Sequence, residues 1–345
     1  MNVPPIQIVS AGMVCGVGLN AASACAAIRS AIDNFQETRF LDQSGEWVIG
    51  SNVPLDQPWQ GRSKLTKMAS TAITECLATL QPIPAAIPLL LCISERERPG
   101  RTSDLESKLF QDIESDLGYH FHNTDSMGIP LGRASAALAL KHARKLLYEH
   151  NHEHVLIAGV DSLLSSDTLS IFEDNLRILN SQNPDGFIPG EAGSAILVSK
   201  PSTTSDPQLL CLGVGFGEEH ATVEKDLPLK AEGLTSAINT ALAESQFEMS
   251  DLDFRITDIS GEQYYFKEAT LALARTLRKV KDNFYMWHPA DCIGEVGAAI
   301  GPILIAVALA GCKKSYTHGD NILCHFSNDA GQRAAAVLQY RRHGA

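Results

Sequence analysis

The chain has 345 residues, of which 44% are hydrophobic and 20% are charged, as is typical of a folded globular protein. Its formal net charge of -12 argues against a nucleic-acid partner, because no excess of basic residues is available to neutralise phosphates. The length exceeds what one hydrophobic core usually organises, which favours two domains or a duplicated unit.

Three features narrow the class of protein further. Residues 1–14 carry no basic leader before their apolar run, so we expect no secretory signal. The longest apolar stretch, 298–310, is too short to span a bilayer and predicts a core helix. The eight cysteines form no CxxC pair. We therefore expect reduced, buried thiols in a cytoplasmic protein, with no disulfide framework, no metal site and no cofactor.

Short apolar or β-branched runs alternate with helical patterns along the chain, which predicts an α/β fold. The predicted strands are 6–10, 87–93, 127–131, 154–159, 195–199, 209–214, 254–259, 321–326 and 334–340. The predicted helices are 21–30, 64–80, 105–117, 135–150, 165–171, 233–244, 266–278 and 296–310. Fully apolar strands indicate a sheet covered on both faces. The polar segments 42–60 and 181–187, which contain Gly or Pro, predict loops.

A linker divides the chain into two parts of similar order. Residues 200–208, KPSTTSDPQ, have the composition of a linker. Each part begins with a strand and places an apolar helix directly after a Gly-containing turn. We therefore predict two pseudo-equivalent halves, residues 1–203 and 204–345, that share one core.

The stretch 126–147, SMGIPLGRASAALALKHARKLL, changes from strand to helix at a tight turn over residues 131–135. We call this turn the first elbow. Enzymes often present a nucleophile at such a turn, because the sharp bend exposes one side chain at a helix N-terminus. Here the exposed position is occupied by Arg133.

Several segments, in this order, resemble one known family. They are the opening strand and loop from residue 6, the strand of HVLIAGVDSLL, the GFIPGEAGSAILV segment and the GEVGAAIGPILIAVAL segment. The third segment supplies the predicted turn residues Gly190, Glu191 and Gly193, and the fourth supplies Gly297. Nearly end to end, the sequence is similar to the β-ketoacyl synthases of the thiolase superfamily.

That resemblance implies a thiolase-like, five-layered αβαβα fold made of two similar halves. It also implies an elbow cysteine that attacks an acyl thioester, and two histidines that assist decarboxylation of a malonyl unit. A helix N-terminus lowers the pKa of such a thiol, and fixed polar groups stabilise the charge that develops.

The sequence departs from the family at each catalytic position. Arg133 falls on the nucleophile position, and no cysteine lies within residues 93–210. Ser260 and Glu295 align with the two histidines, and the family's glycine-rich loop is altered around Phe326. Arginine cannot act as a nucleophile or a neutral base, since it stays protonated. The three catalytic positions are therefore degenerate, and we expect condensation chemistry to be lost.

The direction of the Arg133 side chain has two alternatives. If it points inward, burial of the cation demands a carboxylate partner, and Glu295 and Glu262 are the nearest candidates in the aligned motifs. If it points outward, it contacts solvent or a partner chain. We predict a carboxylate oxygen within salt-bridge distance for the inward case.

Other candidate residues have a structural and a functional interpretation. The pocket candidates beside Arg133 are Glu262, Cys292, His288 and Phe326. Cys292 and His288 lie in HPADCIGE, and a lone buried thiol is favoured there over a reactive pair. The tract HEH at 152–154, with His150, has metal-ligand composition, but its place in a turn favours a solvated loop.

Three functional hypotheses follow from the resemblance. The first is a non-catalytic partner, scaffold or chaperone, dimerising through the strand near 123–131 with itself, with a ketosynthase-like protein or with a secretion-system protein. Chain-length-factor subunits and type VI secretion accessory factors are the two models for it. The second is an acyltransferase or hydrolase of acyl thioesters that resembles 3-oxoacyl synthases and uses Glu295, Ser260 or Cys292. The third is a sensor whose acyl or carboxylate ligand pairs with Arg133. A pocket plugged by the bulky residues near Ser260 argues against the second: Tyr264, Tyr265 and Phe266.

Overall fold

The computed structural model describes residues 3–342. The strands are β1 (Ile6–Cys15), β2 (Gln36–Leu41), β3 (Trp47–Gly50), β4 (Leu89–Cys92), β5 (Met127–Ile129), β6 (His154–Ser162), β7 (Glu191–Ser199), β8 (Gln208–Glu218), β9 (Phe254–Thr257), β10 (Met286–Trp287), β11 (Asn321–Ser327) and β12 (Gln332–Arg341). The α-helices are α1 (Ala21–Arg29), α2 (Gly61–Leu77), α3 (Phe110–Leu117), α4 (Ser135–Tyr148), α5 (Ser166–Asp174), α6 (Glu232–Ser245), α7 (Gln263–Thr276), α8 (Ala290–Ile293) and α9 (Ile300–Lys313).

Ten strands form one mixed sheet whose order repeats about its centre. The order is β10-β9-β11-β12-β8-β1-β7-β6-β4-β5. Each half therefore contributes five strands in the same arrangement, and the halves join where β1 pairs antiparallel with β8 over Ile6–Ile8. The predicted boundary at 203/204 falls between β7 and β8, and the division into two halves at that point stays a prediction.

The layers are those expected of a five-layered αβαβα fold. Helix α2 packs against β1, β6 and β7 of the first five strands, and α6 packs against β8, β11 and β12 of the second five. Helices α4 and α9 contact strands of both halves and form the central layer. Nearly every residue of α9 is buried, because the helix is apolar all round and is packed between two sheets. The predicted α/β fold is confirmed.

Several predicted elements need correction. Residues 42–60 were expected to be a loop, but β3 lies there and pairs with β2 in a hairpin. The strand expected up to residue 131 is only three residues long, because Pro130 cannot donate to a ladder and the chain then turns at the elbow. Residues 105–109 form a π-turn ahead of α3 rather than a regular α-helix.

Two further expectations can be compared with the structure. All eight cysteines are buried with free thiols, as predicted. Over residues 3–342, the chain has no helix with the length and apolar character needed to cross a membrane.

Candidate functional site

The first elbow is a single 3₁₀ turn, Gly132–Ala134, between β5 and α4. Gly132 has φ 54°, a left-handed conformation that glycine adopts without strain. A Cβ at this position would lie 1.9 Å from Oε1 of Glu95, so the turn is closed tightly over that carboxyl. Arg133 follows, with only 5% of the residue exposed. The Arg133 side chain therefore points into the protein and not toward solvent or a partner chain.

Arg133 is surrounded by carboxylates. Its Nη1 donates to Oε2 of Glu295 at 3.1 Å, and its Nη2 donates to Oδ1 of Asp329 at 2.8 Å. Oδ2 of Asp258 lies 3.9 Å from its Nε. The ring of Tyr265 lies 4.5 Å from the guanidinium carbon, a cation–π distance. The predicted ion pair with Glu295 is confirmed, and the cation is satisfied inside the protein.

A second arginine extends this cluster. Arg177 binds Glu262 in bidentate fashion, with both N···O distances at 2.7 Å, and its Nη1 donates to Oδ2 of Asp329 at 2.7 Å. Glu262 thus pairs with Arg177 and not directly with Arg133. Asp329 also accepts from the Tyr265 hydroxyl at 2.6 Å. Although burial acts to raise it, the two arginines hold the pKa of Asp329 well below its usual range.

A third arginine, Arg98, lies near Arg133 and Arg177, since all three line one small cavity. Nη1 of Arg98 is 2.6 Å from Oδ1 of Asp161, whose Oδ2 accepts from the backbone N–H of Ala298 at 3.0 Å. Burial raises the pKa of Glu95 to about 7 and that of Asp258 to about 6. These two carboxyls therefore take up protons near neutral pH.

We call the whole set the elbow network. It contains three arginines and six carboxyl groups, the latter supplied by Glu95, Asp161, Asp258, Glu262, Glu295 and Asp329. Arg133 and Arg177 come from the first half, and the carboxylates that bind them come from the second half. The network is therefore an electrostatic contact between the halves.

Arg133, Ser260 and Glu295, the three positions predicted to be degenerate, meet in this network. The Ser260 hydroxyl donates to Oε2 of Glu295 at 2.7 Å, on the same oxygen that Arg133 contacts. The backbone N–H of Gly297 donates to the other oxygen, Oε1, at 2.9 Å. Both oxygens of Glu295 are thus occupied by donors. A carboxylate held in this way is poorly placed to take a proton from a substrate or from water.

Very little space remains beside Arg133. A cavity of about 20 Å³ lies between the arginines, walled also by Phe172 and Phe187. Ligand pockets in proteins usually measure about 300–1,000 Å³. An open groove of about 500 Å³ adjoins the β2–β3 hairpin and the start of α2, and Arg98 lines both spaces. Arg133 does not line the groove.

Cys292 and His288 lie elsewhere. They line a separate cavity of about 450 Å³ that has aromatic walls. Burial raises the pKa of the Cys292 thiol to about 11, so the thiol is protonated at neutral pH. A hydrogen bond to Asp291, 2.8 Å from its Nδ1, raises the pKa of His288. Placing Cys292 and His288 in the elbow pocket was wrong, and the buried-thiol interpretation fits the structure.

Phe326 and two of the predicted plugging residues, Tyr264 and Phe266, are not placed as the sequence predicted. Phe326 is fully buried in β11 within the central core and does not line the cavity beside Arg133. Tyr264 donates from its hydroxyl to the Ala221 carbonyl at 2.5 Å, and Phe266 packs edge-on against His288. Of the three predicted plugging residues, Tyr265 is the one that contacts Arg133.

The predicted turn residues divide into two groups. Gly190 immediately precedes β7, and Gly297 begins the 3₁₀ turn before α9. Glu191 and Gly193 lie in β7 itself, because Gly193 pairs with both neighbouring strands. Glu191 is buried, accepts from the Val53 N–H at 2.9 Å and forms an ion pair with Lys64.

Six residues of the elbow network were not predicted from the sequence: Glu95, Arg98, Asp161, Arg177, Asp258 and Asp329. A usable signal was present, since Asp161 lies near the end of the apolar strand β6 and Asp258 directly follows the strand β9. Asp329 lies in the altered loop after Phe326. Arg177 follows α5 with no local pattern that marks it as buried.

Comparisons with known proteins support the fold. No family model matches the chain, and no curated protein matches its sequence. Solved structures match almost end to end. One is a chain of the ketosynthase and chain length factor complex from Xenorhabdus doucetiae, with 13% identity, a TM-score of 0.73 and 98% of each chain covered.

Two more solved structures have the same fold as this chain. The ishigamide ketosynthase/chain length factor is 17% identical, with a TM-score of 0.71, over 97% of this chain and 99% of that chain. A type II polyketide acyl-carrier protein complex with its ketosynthase gives 14% identity and a TM-score of 0.77, over 98% and 100%. The chain therefore has the thiolase-like fold of ketosynthases, which confirms the predicted fold class.

Proposed function

We propose that this protein is a catalytically degenerate, ketosynthase-like partner or scaffold. The observation that carries the proposal is the burial of Arg133 at the elbow, ion-paired with Glu295 and Asp329. A guanidinium is neither a nucleophile nor a base at physiological pH. The turn that would present a nucleophile holds a structural cation instead.

The other degenerate positions support the same proposal. On the family resemblance, Ser260 and Glu295 replace the two histidines, and here they bind each other. With Arg133 they form one chain of hydrogen bonds that satisfies every charged group in it. This is the arrangement expected when former catalytic positions have been reused to join the two halves.

The size of the pocket disfavours the alternatives. An acyltransferase or hydrolase needs space for an acyl thioester, and a sensor needs space for an acyl group. The cavity beside Arg133 measures about 20 Å³, and the rings of Phe172 and Phe187 form part of its wall. A ligand entering the open groove would reach Arg98 rather than Arg133.

The partner surface we propose is strand β5. It lies at one end of the sheet, where β4 is its neighbour, and Met127 on it is 42% exposed. An end strand offers unpaired backbone groups to another chain. Pairing there would join this chain to a second copy or to a ketosynthase-like protein, as homodimer or heterodimer. We place this assembly in the cytoplasm.

Two roles are compatible with such a partner. The matching structures include complexes that contain a ketosynthase and a chain length factor, which supports a chain-length-factor-like subunit. A type VI secretion accessory factor or effector chaperone is the second role, suggested by the short, degenerate type of sequence.

Intact-protein mass spectrometry after incubation with acyl-CoA tests the loss of chemistry. We expect no covalent adduct on the wild-type protein, and an active ketosynthase serves as the positive control. An adduct that disappears in Ser260→Ala or Cys292→Ala would overturn the proposal and establish the enzyme alternative.

Light scattering coupled to gel filtration tests the partner surface, alone and with a co-expressed ketosynthase. We expect a dimer that dissociates in Met127→Lys, because a charge blocks pairing at an end strand. Ile171→Lys on α5 is the matched control, since Ile171 is similarly exposed, at 39%. A Met127→Lys protein that keeps its partner would show that another surface is used.

A further inference from the structure

The structure brings together histidines that the sequence separates. His122 lies in the loop before β5, and His152 lies in the turn between α4 and β6. Asp125 stands between them: its Oδ2 is 2.6 Å from Nε2 of His152 and 3.6 Å from Nδ1 of His122. Nδ1 of His150 lies 3.2 Å from the other oxygen, Oδ1. One carboxylate is thus contacted by three imidazoles.

We propose that His122, Asp125 and His152 form a binding site for a first-row divalent metal ion of the zinc type. Two imidazoles and a carboxylate are ligands that suit Zn²⁺ and its neighbours, whereas Mg²⁺ and Ca²⁺ prefer oxygen donors alone. This inference is independent of the proposed function. It concerns a loop at the end of the sheet and uses none of the elbow residues.

The distances fit a metal centre. Bonds of about 2.0–2.1 Å in a tetrahedral site place the ligand atoms about 3.3 Å from one another. The two distances from Asp125 Oδ2 lie on either side of this value, and the three ligand atoms are all within 4.8 Å of one another. His122 Nδ1 accepts from the Asp125 backbone N–H at 3.3 Å, so metal binding through this atom would replace that hydrogen bond.

Neighbouring groups position the ligands. The backbone N–H of His122 donates to the Ile87 carbonyl at 3.1 Å, and that of His152 donates to the Leu146 carbonyl at 3.2 Å. These bonds anchor both loops to the sheet and to α4. His150 contacts Oδ1 of Asp125, whereas the other two histidines lie nearest to Oδ2, so His150 can orient the carboxylate without being one of the three ligands.

The exposure pattern leaves one side of the site open. The side chains of Asp125 and His152 are 15% and 17% exposed, and that of His122 is 35% exposed. Three protein ligands with one open side leave a fourth coordination position for water or another ligand. Asp125 lies two residues before β5, and His152 lies two residues before β6. A bound metal ion would therefore link the loop before β5 to the turn before β6.

Cobalt titration of tag-free, chelator-treated protein tests the proposal. We expect one Co²⁺ per chain, with the visible absorption of nitrogen and oxygen ligation, and displacement by Zn²⁺. Zn²⁺ should also raise the melting temperature, since a ligand bound to the folded state stabilises it. Absence of stoichiometric binding, or a cobalt–thiolate absorption band, would overturn the proposal.

Variants connect the signal to the residues. His152→Ala and His122→Ala should each lower the affinity at least 100-fold, and His150→Ala about tenfold, as orienting groups do. His120→Ala is the matched control, since it lies in the same loop, is 88% exposed and is outside the cluster. Circular dichroism shows that each variant is folded. Equal affinity in His152→Ala, His122→Ala and wild type would place the metal elsewhere.

Discussion

The two elbows contain 3₁₀ turns that start on left-handed glycines and differ in one side chain. The first runs through the 3₁₀ turn Gly132–Ala134 into α4, and the second runs through Gly297–Ala299 into α9. Both glycines have φ near 50°, at 54° and 52°, and both helices contain 14 residues. The residue after the glycine is Arg133 in the first elbow and Ala298 in the second.

The neighbours of each elbow explain the difference. Ala298 is 1% exposed and donates its N–H to Asp161, so one carboxylate satisfies the free amide at this helix start. Arg133 brings a full charge into an equally buried position, and carboxylates of the second half neutralise it. The same turn can therefore hold a small residue or a buried cation, depending on what the opposite half supplies.

The largest effect is expected from removing the cation. Arg133→Met should destabilise the protein by about 3–5 kcal/mol, because it leaves buried carboxylates without a partner. Urea unfolding measures this change. Arg62→Met is the matched control: its ion pair with Asp112 is about one-third exposed and should contribute about 0–1 kcal/mol. Similar losses of unfolding free energy in both variants would show that the buried ion pairs of Arg133 stabilise the protein no more than a surface pair does.

The two glycines provide the next comparison. A Cβ on Gly297 would lie 2.1 Å from Oδ2 of Asp161, a short side chain held by Arg98, whereas Gly132 faces the end of the longer Glu95 side chain. Gly297→Ala should lower the free energy of unfolding by about 3 kcal/mol or more, and Gly132→Ala by about 1–2 kcal/mol. Each substitution adds left-handed backbone strain and overpacking. Thermal and urea unfolding give both values, and the reverse order would contradict the account of the two elbows.

A smaller effect is expected from the pH dependence of Glu95. Its pKa is raised by burial to about 7, so the folded protein keeps a proton that the unfolded chain releases near pH 4.5. The stabilisation that this bound proton gives the folded state is fully present below pH 4.5 and is lost as the pH rises to 7. Relative to Glu95→Gln, wild type should lose about 2 kcal/mol between pH 5 and pH 7. Parallel stability curves for the two proteins would contradict the raised pKa.

The smallest effect is expected at Ser260. Ser260→Ala removes one hydrogen bond to Glu295, whose carboxylate keeps Arg133 and the Gly297 N–H as partners. The loss should be about 1 kcal/mol. Urea unfolding measures it, with Ser107→Ala on the surface as the control. A loss above that of Arg133→Met would mean that the serine, not the arginine, organises the network.

Much of the fold was predictable from local patterns. The apolar runs of β6, β9 and β11 and the helical patterns of α4 and α9 identified the alternating elements, because each carries its own periodicity. The β2–β3 hairpin was missed because β2 is mostly polar and has no buried residue, and because β3 has only four residues. Strand β10 has two residues, too few for a pattern.

The site was predictable only in part. Arg133, Ser260 and Glu295 were found because each stands at a motif position, and Arg133 required a carboxylate for a general reason, the cost of burying a charge. Arg177 and Asp329 join the network across 152 residues of chain, and His122 and His152 meet across a segment that contains β5 and α4. No local pattern encodes such distances.

The sequence by itself predicted an α/β fold, two halves of similar order and a charged residue at the first elbow, because periodicity and turn chemistry are properties of residues and their neighbours in the chain. The family resemblance added the expectation that Arg133 stands at a nucleophile position. Only the tertiary structure decided that Arg133 points inward, that Asp329 joins two arginines, and that Cys292 lies in another cavity. The physical reason is that charge pairing and cavity shape depend on distances in space, which packing of the two halves sets.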